Sequence, residues 1–187
     1  MSRRRAIWLS VGGVLVVALV AGLAVFQPWL LVVDRTADET DDPAAVVGTA
    51  TGGLGDTSVP SAPGAELTRV VLASADFIDG EHGTSGTATI YRRSDGTRFL
   101  RIEDLDTSNG PDLHVWLSDR PSGGDCAGCR DSWGIYDDDA YVRLGELKGN
   151  QGSQNYEIPA SADLSSMRSV VIWCDRFNVA FGTAPLA

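Results

Sequence analysis

"SVVIWCDRFNVAFG", Ser169–Gly182, is the stretch whose reading decides the fold. Val170, Val171, Ile172 and Trp173 are β-branched or aromatic, which favours a strand. Successive strand side chains point to opposite faces, and here both parities are apolar. A strand of that kind is covered on both sides, so it lies in the centre of a sandwich or beneath a loop. Cys174 shares parity with Val170 and Ile172, and it faces the core if they do.

The period of two continues outward from this segment. "GTATIYRR" (Gly86–Arg93) places Ala88 and Ile90 on one parity. "TRFLRIEDL" (Thr97–Leu105) sets Arg98, Leu100 and Ile102 against Phe99, Arg101 and Glu103. "DLHVWLS" (Asp112–Ser118) sets Leu113, Val115 and Leu117 against His114 and Trp116, and "QNYEIP" has the same character. The punctuation is Ser94-Asp95-Gly96, Asn109-Gly110-Pro111 and Lys148-Gly149-Asn150, all turn chemistry. Short strands between such turns predict an all-β domain, an antiparallel β-sandwich or barrel-like fold, with the clearest hairpin at Ser94-Asp95-Gly96. "SADLSSM" (Ser161–Met167) reads as one short helical turn capped by Ser161 or Asp163.

The first 33 residues differ. Arg3, Arg4 and Arg5 precede an uncharged stretch from Ala6 to Val33. About 20 apolar helical residues span a hydrocarbon core, and Ile7–Phe26 suffices, bracketed by Trp8 and Trp29. A cleaved signal peptide is the competing reading, with Gly22-Leu23-Ala24 as its small-x-small site. The apolar run exceeds a signal h-region, which favours an uncleaved transmembrane helix. The arginines place the N-terminus in the cytoplasm and everything after Val33 outside it, so the expected location is the cell membrane, single-pass, with an extracytoplasmic C-terminal domain. Residues 34–64 are acidic, then rich in Gly, Thr, Ser and Pro, and are expected to be a disordered linker reaching about 30 Å root-mean-square. Residues 65–187 are the β domain.

A formal net charge of −10 argues against nucleic acid as a partner. Cys126 and Cys129 lie in "GDCAGCRDS", and an oxidising compartment makes a local disulfide between them the default. Arg130 stands where a haem-attachment motif needs histidine, and no second cysteine pair completes a zinc site. Cys174 is then the odd thiol, packing as a small hydrophobe or carrying chemistry. Glu103, Asp104, Asp106, Asn109 and Asp112 could offer oxygen ligands to calcium, but the spacing is not that of an EF-hand, and turn roles account for them. No metal is expected. Asp137–Ala140 reads as a solvated loop, and no nucleophile triad, phosphate loop or carboxylate pair stands out.

Four blocks carry a resemblance: "HGTSGTATIYR" (His82–Arg92), "LRIEDLDTSNGPDLHVWLS" (Leu100–Ser118), "LGELKGNQGSQNYEIP" (Leu144–Pro159) and "SVVIWCDRFNVAFGTAPL" (Ser169–Leu186). In this order they resemble the DM-thirteen domain, an electron-transfer domain of cell-surface and exported proteins, over about Leu67–Leu186. The resemblance implies that Cys174 is a redox-active thiol or a ligand to a prosthetic group such as haem. "GDCAGCRDSWGIYDDD" matches no block and looks like an insertion after the "HVWLS" strand. His82 and His114, the only histidines, are the candidate second ligands to a haem; no attachment motif accompanies them. Two functions follow. One is electron transfer or thiol redox through Cys174, with a redox or envelope protein as partner. The other is a non-catalytic binding module for a ligand or envelope partner, with Cys174 a core residue.

Overall fold

The computed structural model describes residues 3–26, 33–41, 69–124, 127 and 132–186, with side chains of the N-terminal helix described over residues 12–23. The elements are α1 (Arg3–Phe26), β1 (Thr36–Asp38), β2 (Arg69–Asp76), β3 (Ile78–Asp79), β4 (Thr84–Arg93), β5 (Arg98–Thr107), β6 (Leu113–Ser118), a 3-10 helix (Ser132–Asp137), β7 (Tyr141–Glu146), β8 (Gln151–Ile158), β9 (Ser169–Cys174) and β10 (Val179–Pro185). They form two five-stranded sheets, ordered β1-β8-β5-β4-β2 and β3-β10-β9-β6-β7. Every pairing is antiparallel except β1 with β8. The domain is therefore mostly β and sandwich-like, as the alternation predicts.

The two inner faces make one core. Ala88 and Ile90 of β4 and Leu100 and Ile102 of β5 meet Val115 and Leu117 of β6 and Val170 and Ile172 of β9. These are the parities that the sequence assigns to one face. The β4–β5 hairpin turns at Ser94-Asp95-Gly96, where Gly96 takes φ +89° and the Asp95 carboxylate accepts the Thr97 N–H at 2.8 Å. "SADLSSM" is a hydrogen-bonded turn and not a helix; Asp163 caps it, accepting the Ser165 N–H at 3.0 Å.

The doubly apolar β9 is buried along its whole length. Its outer face is covered by the 3-10 helix, whose Ile135 and Tyr136 pack on Trp116, Val171, Trp173 and Ala180. The segment that looks like an insertion thus supplies the cover that lets the second sheet be apolar on both sides. The Tyr136 hydroxyl fixes it by accepting the Gly124 N–H at 2.9 Å and donating to the Pro121 carbonyl at 3.2 Å.

The expected linker begins with structure. Thr36, Ala37 and Asp38 pair with Gln151, Gly152 and Ser153 of β8. The Arg35 N–H donates to Asn150 Oδ1 at 2.7 Å, and Lys148 Nζ reaches both Glu39 carboxylate oxygens at 2.7 and 2.9 Å. Arg101 donates to the carbonyls of Glu39 and Thr40. Gly152, at φ +90°, lets β1 come close: a Cβ there would collide with the Ala37 carbonyl. Residues 42–64, the remainder of that linker, and residues 65–68, the start of the expected β domain, lie outside the described residues.

The anchor expected over Ile7–Phe26 falls on α1, 24 residues long. It extends past the window of described side chains, and among the described residues no helix is long and apolar enough to cross a membrane. The fold therefore does not bear out the expected transmembrane helix.

Candidate functional site

β9 ends at Cys174, and residues 175–178 reverse the chain into β10, so that Val179 pairs with Cys174. Asn178 closes the turn at φ +55°, a conformation its short polar side chain tolerates. On the other side Leu113 of β6 pairs with Cys174, and the Asp175 N–H donates to the Asp112 carbonyl at 3.0 Å. Cys174 is a free thiol, fully buried at 0 % exposure, on the inner face with Leu113, Val179 and Phe181. Burial pushes the thiol pKa up. The main chain at Phe177, Arg176 and Asp112 acts the other way without overcoming it. The sulfur thus sits in an apolar enclosure.

The outer face of the same strands carries polar groups. His114 Nε2 lies 3.0 Å from Asp112 Oδ1 and 3.4 Å from Asp175 Oδ2. Arg143 on β7 clasps Asp175 with two bonds of 2.7 and 3.1 Å. The ligand atoms of Asp112, His114 and Asp175 lie within 4.8 Å of one another, close enough to share a cation. Arg143 already gives Asp175 its counter-charge, so the arrangement is complete as an ion-pair network.

Next to it the Trp173 and Trp116 rings stack at 4.8 Å, and Trp116 stacks on Tyr141 at 4.4 Å. The Arg143 guanidinium lies 4.7 Å from the Trp116 ring centroid. Both indoles are buried, whereas Tyr141 is 39 % exposed.

The residues singled out in the sequence do not converge. Cys174 faces the core, while His114 lies on the opposite face of the sheet, paired with Trp173. His82 stands beyond β10, its ring 4.0 Å from that of Phe181, lining a recess with Glu81, Phe177 and Val179. A haem iron held by Cys174 and His114 would need ligands from both sides of one sheet. The Cys174 sulfur is also enclosed too fully to face a macrocycle. These residues do not fit a haem. The Cys126–Cys129 disulfide falls outside the described residues. In the acidic group, Asn109 donates to the Val33 carbonyl at 2.6 Å and Asp106 accepts from Gln151, which are roles within the fold.

Sequence reasoning missed Arg143, Asp175 and the ring stack. His114 and Trp116 were legible as an outward-facing pair. Their partners come from β7 and β9, whose register no local pattern encodes.

A family model described as electron transfer DM13 matches residues 76–186. No curated protein and no solved structure matches the chain.

Proposed function

Because the chain belongs to the electron transfer DM13 family, we propose that it passes single electrons through Cys174 on a domain held outside a membrane by α1. The observation that carries the reading is the setting of the thiol. It is free, fully buried and enclosed by apolar side chains, directly after an indole that stacks outward. Enclosure protects a sulfur-centred radical from solvent and from a second thiol. The step is one electron and one proton leaving the Cys174 S–H, with the electron going to a one-electron carrier and the proton to solvent. The reverse step restores the thiol.

Support for the membrane lies in α1. Val14, Leu15, Val16, Val17, Leu19 and Val20 are all exposed, and nothing among the described residues covers them. A helix apolar on every side needs an apolar surrounding, and lipid supplies one. Arg3–Arg5 set its cytoplasmic end. The partner is then a redox or envelope protein on the outer side.

A second reading, a binding module with Cys174 as packing, draws on the raised thiol pKa and on Phe177, exposed at 61 % beside the His82 recess. Voltammetry of the full chain separates the two. The redox reading expects a reversible one-electron wave in the wild type that vanishes in Cys174→Ala. A wave that persists in the alanine variant removes Cys174 from the reading, and no wave in either protein leaves the binding module.

A further inference from the structure

A fully buried sulfur poses a problem for electron exchange. A partner cannot touch Cys174, and electronic coupling through saturated side chains falls steeply with distance. The second sheet contains one feature that shortens the gap. Trp173 is bonded to Cys174 through a single peptide unit, so its ring and the sulfur share a short covalent path. That ring stacks on Trp116 at 4.8 Å, and Trp116 on Tyr141 at 4.4 Å with the planes only 9° apart. The series runs from the buried end of β9 across β6 to β7, and it ends on a side chain that solvent reaches.

We propose that the rings of Trp173, Trp116 and Tyr141 are the path by which single electrons pass between Cys174 and a one-electron carrier that docks at Tyr141. This rests on Cys174 being the redox group. Packing alone asks for apolar bulk at these positions; it does not ask for π-rings stacked in series from a thiol to the surface.

Two details fit transport. Trp116 Nε1 is buried and finds no hydrogen-bond acceptor among the described residues. An oxidised indole there has no base to take its N–H proton, so the hole moves on without a proton transfer that would trap it. Arg143 faces the Trp116 ring and is clasped by Asp175. The clasp holds the guanidinium against that ring, while the Asp175 carboxylate offsets the positive charge that would otherwise oppose a hole on Trp116. Arg143 is thus a positioning residue.

In the balanced step, one electron leaves the Cys174 S–H through the three rings and reduces the carrier by one unit. The proton goes to solvent, and a thiyl radical remains on Cys174. The test uses the full chain without oxygen, with photogenerated tris(bipyridine)ruthenium(III) as the one-electron oxidant, and transient absorption follows the indole radical. Tyr141→Leu, at a surface position, should slow the appearance of that radical by at least about tenfold with melting unchanged, and Tyr141→Trp should restore it. In Cys174→Ala the indole radical absorption should outlast that of the wild type. Equal rates of appearance in wild type and Tyr141→Leu would overturn the path while leaving Cys174 as the redox group. Indole radicals that decay alike with and without Cys174 would overturn the Cys174 reading itself.

Discussion

Serine and alanine should separate two properties of Cys174, its bulk and its capacity to accept hydrogen bonds. In an apolar site serine is the worse replacement. Cys174 packs in the core with Leu113, Val179 and Phe181, so Cys174→Ser, which buries a hydroxyl there, should cost about 1–3 kcal/mol. Cys174→Ala removes little volume and should cost less. Denaturant unfolding of both variants measures the order, and serine proving the milder would show that the site offers its hydroxyl a partner. The thiol also titrates in a definite direction. Its folded pKa lies above the ordinary value of 9.0, so its contribution is fully present below that pH and is lost as pH rises through the folded pKa. Alkylation by iodoacetamide at mildly alkaline pH should be slow in the native protein and fast in denaturant; prompt native labelling would refute the enclosure. The inward direction of Cys174 was legible, because parity with Val170 and Ile172 is a local property. Its neighbours were not, since they depend on the turn at residues 175–178 and on the pairing with Leu113 of β6.

Among the elements, β1 departs most from the sequence. "TAD" has no strand signature, and its partner lies more than a hundred residues away in β8. What makes the pairing is polar: Asn150 and Lys148 grip the segment, and Gly149 and Gly152 leave it room. Those residues read only as turn formers in isolation. The second sheet shows the opposite case. "SVVIWC" demanded cover on both faces, and the cover exists, although the residues providing it had no visible role of their own. Two predictions belong to this scale. Gly152→Ala should destabilise the domain, because a Cβ strikes the Ala37 carbonyl at a left-handed φ; a melting temperature unchanged from wild type would show that β1 is dispensable. Acid should release β1. Burial would raise the Glu39 pKa, but Lys148 and the main chain at Asn155 outweigh it and hold it below 4.5; the hydrogen bond from Arg69, with its charge, holds Asp41 below 3.8. The stability these groups add is present above those values and lost as pH falls through the lower folded ones. Hydrogen exchange at Ala37 and Glu39 should therefore rise in acid before exchange in β9 does.

For the whole molecule, the anchor reading makes one demand. The full chain should sediment with membranes and retain Met1–Phe26, and a version starting at residue 33 should be soluble and folded. N-terminal sequencing that began after Ala24 would replace the anchor with a cleaved leader. The same soluble version should melt above one that starts at residue 65, because only the longer carries β1.

Pairing β1 into the first sheet also changes the mechanics of the proposed tether. With β1 seated, the run between α1 and the domain is residues 27–35, whose contour length is about 30 Å at most. Residues 42–68 then lie outside the load path. A pull along α1 falls first on a pairing three residues long. Once it gives, the run becomes residues 27–68 and its contour length grows to about 150 Å, with the sandwich still closed. The domain is therefore hung on a leash of two lengths, and the clasp that chooses between them is the Lys148–Glu39 and Asn150–Arg35 grip on a single short strand.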